Sequence, residues 1–388
     1  LKKFALVFTL VFLLFQSSIA QNSCALRISL LTCAPGQELY STFGHTAIRV
    51  TDSAAGTDEV YNYGTFEFSP DFYYQFVKGK LLYALSVEDF RNFVLQYQYE
   101  SRSIWEQELL LDCDQKQKVN SALRTNALPE NRFYRYDFLF DNCTTRARDM
   151  LVRNGGGPVQ YKLLFPEKQP TFRNLIYIYL NRGHQDWSKL GIDLLLGAKL
   201  DRRATNEQAM FLPENLLKAM DTATVNTRPL VKEETTLLAM PFVAAESYLI
   251  TPFVLFSFLL AAIGFLSFTK KRWAGKVVRV FDFLLFFVLG CTGVLLLFMW
   301  FGTDHQLCAN NYNLLWALPT HLVASFFLFS KKDWVRLYFK LNFFLAVILL
   351  LSWAFLPQQL NIALIPLILL IVLRSYDLST TNHGNRRN

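Results

Sequence analysis

The sequence predicts two units in tandem: an exported α+β domain, then an all-α domain of five transmembrane helices. Three observations carry this. Short runs of β-branched and aromatic residues alternate with helical spacings between residues 21 and 221. Five long apolar stretches crowd the C-terminal part. Lysine and arginine occupy alternate loops between those stretches, as expected when positive charge is kept on one side of a membrane. Composition points the same way, since 52% of the chain is hydrophobic and 36 residues are Phe, too apolar for an ordinary soluble protein. The net charge of +8 is concentrated in residues 248–388, with 12 Lys/Arg against 4 Asp/Glu, whereas residues 21–247 are near neutral with 25 against 27. A basic balance often signals nucleic acid. Here the basic residues flank apolar spans, so they read as membrane topology and no nucleic-acid partner is expected.

Residues 1–20 read as a signal peptide. Lys2-Lys3 is its charged start, Phe4 to Phe15 its apolar run, and Ser18-Ile19-Ala20 supplies the small residues before a cut at Gln21. Residues 21–221 form the exported domain. Ala25 to Leu31, Thr46 to Val50 and Glu59 to Tyr63 are strands, the last two joined by the turn at 52–58. Residues 71–78, 88–99, 115–127, 171–181 and 206–220 have helical spacing, and Leu109-Leu110-Leu111 suggests a further strand. Residues 222–247 are polar and Thr-rich at their start and read as a linker.

The spans then fall at about 248–268, 281–301, 314–329, 339–356 and 362–373, within a transmembrane domain of 248–374. Lys270, Lys271, Arg272, Lys276 and Arg279 follow the first span; Lys331, Lys332, Arg336 and Lys340 follow the third; Arg374 follows the fifth. The intervening stretches 303–313 and 357–361 carry neither Lys nor Arg. This pattern places residues 21–247 outside the inner membrane and the tail, 375–388, in the cytoplasm.

The chemistry centres on Asp141-Asn142-Cys143, where an aromatic, strand-like run, Tyr136 to Phe140, meets a helical pattern that stops at Gly155-Gly156-Gly157. With Asp141 or Asn142 as the cap, Cys143 sits in the first helical turn, where partial positive charge favours thiolate. A cysteine nucleophile needs a base, and of the five histidines His45 fits best, at a glycine turn feeding a strand in Phe43-Gly44-His45-Thr46. Asn62, in Tyr61-Asn62-Tyr63-Gly64 of the partner strand, is placed to orient it across the hairpin. Asn142, Asp141 and Arg146 are candidate supporting residues. The backbone N–H of Cys143 is a candidate oxyanion donor. Asp304 and His305, in the loop before the third span, form a candidate second polar group that positions a headgroup or an acceptor amine, or through His305 joins the catalytic machinery; the plain alternative is a solvated loop. Against this, an exported cysteine is commonly structural. Cys24, Cys33, Cys113, Cys143 and Cys308 make an odd exported set, so complete pairing is impossible. No Cys-x-x-Cys or His-x-x-x-His spacing occurs; no metal and no cofactor are expected.

A histidine on an early strand followed about a hundred residues later by Asn-Cys at a helix start resembles the circularly permuted NlpC/P60 papain-like folds, which include the lecithin:retinol acyltransferase family. More closely, the chain resembles the Lnb family of bacterial envelope proteins. The resemblance lies in Phe43-Gly44-His45-Thr46-Ala47, Tyr61-Asn62-Tyr63-Gly64, Asp141-Asn142-Cys143-Thr144-Thr145-Arg146, Gly191-Ile192-Asp193-Leu194-Leu195-Leu196-Gly197, Met210-Phe211-Leu212-Pro213 and Asn313-Leu314-Leu315-Trp316 with Pro319. It implies a papain-like exported domain and lipoprotein N-acylation. An acyl chain, from a membrane phospholipid in the bilayer or from the lipoprotein's own glyceryl unit, would pass through a Cys143 thioester to the α-amine of a lipoprotein's lipidated N-terminal cysteine. Aromatic-rich stretches such as Phe66-Glu67-Phe68 and Phe72-Tyr73-Tyr74 would line an acyl channel, dip into the membrane interface, or pack as core. Two other readings stand beside it: a cysteine peptidase or amidase acting on peptidoglycan peptides, which the fold alone would allow, and a membrane-anchored scaffold in which Cys143 is buried.

Overall fold

β1 (Leu26–Cys33), β2 (His45–Asp52) and β3 (Thr57–Thr65) form an antiparallel meander, with Cys33 opposite His45 and Ile48 opposite Tyr61. A computed structural model describes residues 24–380 of the protein apart from 68, 243–247 and 331. The expected signal peptide, Phe68 and the end of the tail lie outside the described residues. After the meander come α1 (Phe72–Lys78), β4 (Leu82–Asp89), α2 (Phe90–Tyr99), β5 (Ile104–Leu109), α3 (Cys113–Asn126), β6 (Phe133–Arg135), α4 (Cys143–Asn154) and β7 (Val159–Gln160). The helices α5 (Phe172–Arg182), α6 (Asp186–Leu195), α7 (Asn206–Ala209) and α8 (Pro213–Asp221) follow, then β8 (Thr224–Val225), β9 (Arg228–Pro229) and β10 (Val231–Leu238).

The main sheet has seven strands in the order β10-β5-β1-β2-β3-β4-β6. Strand alternation sorts its residues onto two faces. Ile28, Leu30, Ile48, Val50, Tyr61 and Tyr63 bury against α3, α4 and α8. Leu31, Cys33, Ala47 and Val60 bury against Phe93 and Tyr97 of α2. A disulfide between Cys24 and Cys113 ties the chain before β1 to the start of α3.

Several expectations need correction. Residues 222–247 are not simply a linker, because Val231–Leu238 is an edge strand paired with β5. Its exposed polar residues, Lys232 to Thr236, hide the apolar alternation that would mark a strand. The run Tyr136 to Phe140 is a turn, not a strand: Asp137 and Asp141 exchange backbone hydrogen bonds, and the Asp137 carboxylate accepts from the N–H groups of Leu139 and Phe140. The helix expected over 206–220 is two helices, since Pro213 cannot continue the first and instead starts the second. The strand expected at Leu109–Leu111 begins earlier and ends at Leu109.

The membrane part contains α9 (Pro252–Phe268), α10 (Arg272–Phe301), α11 (Thr320–Phe327), α12 (Asp333–Leu351) and α13 (Leu364–Thr380). The third helix is shorter than its apolar stretch, because Pro319 delays its start, and the fifth runs past Arg374. Gly290 and Gly293 allow α11 to lie directly on α10: a Cβ at the first would strike the Leu322 backbone and one at the second the Ala317 carbonyl. Arg374 is buried in the bundle and donates to both carboxylate oxygens of Asp282, at 2.6 and 2.9 Å.

Asp193 of α6 joins the two units. Its carboxylate is fully buried and accepts from Arg173 (2.6 Å), Tyr177 (2.7 Å) and, across the junction, Asn361 (2.8 Å). Its backbone carbonyl accepts from Asn313 of the bundle's periplasmic side at 2.8 Å. Replacing Asp193 by Ala removes this acceptor from Arg173, Tyr177 and Asn361, while Arg173 keeps Asp201 at 2.9 Å. The expected loss is about 1–3 kcal/mol, the range for leaving buried donors unsatisfied. A lower midpoint of thermal unfolding in detergent, with both domains affected, checks this; an unchanged midpoint would remove Asp193 from its structural role.

Candidate active site

Cys143 is the first residue of α4, and Asn142 caps that helix. The Asn142 side chain accepts from the Thr145 N–H at 2.9 Å, while the Thr145 hydroxyl accepts from the Asn142 N–H at 2.9 Å. The Asn142 amide also donates to the carbonyls of Phe138 and Phe211, so the cap is bolted to the turn before it and to the chain before α8. The helix therefore starts at one fixed place. The Cys143 N–H belongs to its first turn, where amides have no preceding carbonyl in the helix to bond.

His45 opens β2. Gly44 precedes it with φ +80°, and a Cβ there would press on the Cys33 carbonyl at 2.7 Å, so only glycine delivers the histidine in this position. Thr46 then fastens strand to helix: its hydroxyl lies 3.1 Å from that of Thr144, and its N–H reaches the Cys143 sulfur. Gly64, with φ +90°, brings the end of β3 against the same cysteine; a Cβ on it would lie 3.5 Å from the Cys143 Cβ.

Three of the sequence candidates converge here. The His45 and Cys143 side chains are hydrogen-bonded. His45 Nε2 lies 2.5 Å from Asn62 Oδ1. The Asn62 amide donates to Glu88 at 3.2 Å, which turns its oxygen toward the imidazole. Nε2 thus carries a proton, and Nδ1 is left for the thiol. Burial disfavours a thiolate at Cys143, but the charge and hydrogen bond of His45, with the Thr46 N–H and Thr144, overcome it and bring the pKa down to about 7. For His45 burial likewise acts against the charged form, yet the Cys143 thiolate and Asn62 raise its pKa above the ordinary histidine value. Near neutral pH this geometry favours a thiolate–imidazolium pair, a competent nucleophile with a proton donor beside it.

The other candidates are placed differently. Asp141 does not touch the thiol; it forms a bidentate pair with Arg146 at 2.6 and 2.8 Å. Arg146 stacks 3.5 Å over the Tyr134 ring and so holds a residue that sequence reading missed. The buried Tyr134 hydroxyl has no hydrogen-bond partner among the described residues and lies on the Gly64 side of Cys143. Burial, then the neighbouring thiolate, raise its pKa, so it is a neutral donor. Glu88 was also missed. His305 and Asp304 are not in this cluster: His305 bonds the Phe76 carbonyl of α1 at 3.0 Å, and Asp304 pairs with Arg135 at 3.6 Å, one residue from Tyr134. Among the described residues no group of three or more His, Cys, Asp or Glu side chains is arranged to hold a metal.

Two family models match the chain: one described as the Lnb N-terminal periplasmic domain, over residues 18–175, and one described as the Lnb transmembrane domain, over residues 244–383. No curated protein and no solved structure matches it.

The geometry predicts a pH profile. Iodoacetamide should alkylate Cys143 faster as pH rises through about 7 and level off above it, because thiolate accumulates across that range. In His45→Ala both the charge and the hydrogen bond that lower the pKa are gone, so the inflection should move up into or above the ordinary cysteine range and the rate at pH 7 should fall. An inflection unmoved in the variant would separate His45 from the thiol's ionisation.

Proposed function

Because the chain belongs to the Lnb family, with its periplasmic and its transmembrane domain both present, we propose that it is a lipoprotein N-acyltransferase of the bacterial inner membrane working through a Cys143 thioester. Its N-terminal domain lies in the periplasm and its apolar domain crosses the membrane several times. Family membership supports an enzymatic role in lipoprotein processing. The observation that favours the thioester route is the Cys143 thiol, its pKa lowered, at the head of a capped helix and hydrogen-bonded to an imidazole whose far nitrogen is held by Asn62.

In the proposed reaction the Cys143 thiolate attacks an ester carbonyl of a membrane phospholipid. The Cys143 N–H and the Tyr134 hydroxyl donate to the oxyanion that forms. Collapse breaks the bond to the glyceryl oxygen, and the His45 imidazolium gives its proton to that oxygen, releasing a lysophospholipid and leaving a thioester. The α-amine of the lipidated N-terminal cysteine of a lipoprotein then attacks the thioester carbonyl. Neutral His45 takes the amine proton, the amide forms, and Cys143 departs as thiolate. Asn62 and Glu88 keep the imidazole in the tautomer and orientation both steps need. The Asp141–Arg146 pair holds Tyr134 in place, and Asn142 fixes the helix start.

Intact-mass analysis of protein purified from membranes, with and without neutral hydroxylamine, tests the intermediate. An acyl-sized adduct removed by hydroxylamine and absent from Cys143→Ser is expected. Absence of an adduct, together with slow alkylation of Cys143, would defeat catalysis by this residue. Tyr134→Phe tests the oxyanion donor: acylation should slow about 100-fold, as when one donor of such a site is removed, while iodoacetamide alkylation, which forms no oxyanion, keeps its rate.

A further inference from the structure

The short helix α1 has no role in the chemistry above, yet it exposes a run of large side chains: Tyr73 is 75% and Tyr74 63% exposed, and Phe76 and Val77 are exposed beside them. Its position relative to the membrane is fixed. In α10 the last charged residue is Asp282, so the uncharged stretch from Phe283 to Phe301 spans about 28 Å at 1.5 Å per residue, the thickness of a hydrocarbon core. Where that stretch ends, α1 is docked. Lys78 donates to the Gly302 carbonyl at 3.0 Å, the Asp304 N–H donates to the Lys78 carbonyl at 2.9 Å, and His305 bonds the Phe76 carbonyl. The exposed tyrosines therefore sit at the depth where amphipathic aromatic rings are favoured.

Behind α1 a cavity of about 520 Å³ runs to the sheet. Asp71 and Gln75 line its α1 side, and Thr65 and Ala84 its inner side, one residue from the Gly64 that lies on Cys143. Lys80 and Arg132 also line it. Arg132 makes one long ion pair, at 3.6 Å to the exposed Glu67, and its Nε is buried with no hydrogen-bond partner among the described residues. Glu67 and Asp71 line the cavity as well, so its wall is of mixed charge; Asp71 is taken up by Ser69 and Gln75, and the buried Arg132 Nε–H is the donor left for a phosphate oxygen.

We propose that α1 lies in the headgroup layer of the periplasmic leaflet, and that the cavity behind it receives the phosphate headgroup of a glycerophospholipid whose ester reaches Cys143. The second half rests on the acyl-transfer reading above. Depth is tested first in reconstituted vesicles of phosphatidylethanolamine and phosphatidylglycerol, using Tyr74→Cys labelled with bimane in a Cys143→Ser, Cys291→Ser background. Nitroxide lipids labelled near the headgroup should quench this probe strongly, and far more than a probe at Ala55→Cys in the turn at the other end of the sheet. Equal quenching at the two positions would overturn the placement of α1. The headgroup site is tested with Arg132→Gln in the otherwise unaltered protein. KM for vesicle-borne phospholipid should rise about tenfold, the loss expected for one charge-assisted contact, while thioester formation from a water-soluble p-nitrophenyl ester stays as it was. No change for either donor, or an equal loss for both, would overturn the headgroup assignment. If the unaltered protein forms no thioester from either donor, the acyl-transfer reading itself fails, and the quenching result decides α1 alone.

Discussion

The carboxylate of Asp193 is the constraint on which the arrangement of the two domains depends. A buried charge is tolerated only when its partners replace the water it has lost. Here those partners come from both sides: Arg173 and Tyr177 from the periplasmic helices, Asn361 from the bundle, with Asn313 on the carbonyl of the same residue. Each carboxylate oxygen has a donor from the periplasmic helices, and the bundle adds Asn361 to one of them. The periplasmic domain is thus held at a set height and orientation on the bundle instead of swinging from a tether. A second contact, made by Lys78, Asp304 and His305, repeats the constraint at another point of the interface. Two separated contacts fix an orientation where one would leave a pivot.

Within that frame the cysteines show how environment alone selects a nucleophile. Cys33 stands directly opposite His45 in the sheet, yet burial pushes its thiol up to about 12, and it packs in the core with Phe93 and Tyr97. Cys308 is pushed up to about 11 by burial. Cys143 is desolvated too, but a helix start, an imidazole and a strand N–H converge on its sulfur, and the balance reverses. Proximity to a histidine in the sheet register is therefore not enough; the thiol must meet the ring nitrogen, and only the capped helix brings that about.

The sequence made the Cys143–His45–Asn62 group legible because each member carries a local signal. The Asn-Cys junction marks a helix start, Gly44 marks a sharp turn before a strand, and Asn62 follows from hairpin register. The topology of the membrane part was readable from charge alone. Tyr134 and Glu88 were hidden because each reaches the site from a separate strand, with nothing local to distinguish it from a dozen other aromatics or carboxylates. Nor could pairing among the exported cysteines be read, since spacing does not fix connectivity; Cys24 and Cys113 meet only once the sheet and α3 are assembled. The edge strand at Val231–Leu238 reads as linker because a strand exposed along most of its length loses the alternation that identifies one. Gly191 to Gly197 and Asn313 to Trp316 were legible only as family resemblance. Their physical meaning, the Asp193 junction, needed the two domains side by side.

A cysteine and histidine arranged this way would hydrolyse a thioester if water reached it before the amine did. What separates transfer from hydrolysis is therefore not the nucleophile but what surrounds it. The periplasmic loop of the bundle reaches β6 through the Asp304–Arg135 pair, on the strand face opposite the buried Tyr134, so the bundle lies against the strand that carries this tyrosine. On the acyl-transfer reading both substrates carry their reactive groups at the bilayer surface, the donor as a glyceryl ester and the acceptor as an amine beside its own lipid. A site fixed at that height meets both without either leaving the membrane, and the lipids themselves displace water from its mouth. On the same reading the junction at Asp193 has a chemical consequence: a domain free to tilt would expose a thioester to water, whereas one held in place would keep it for the amine.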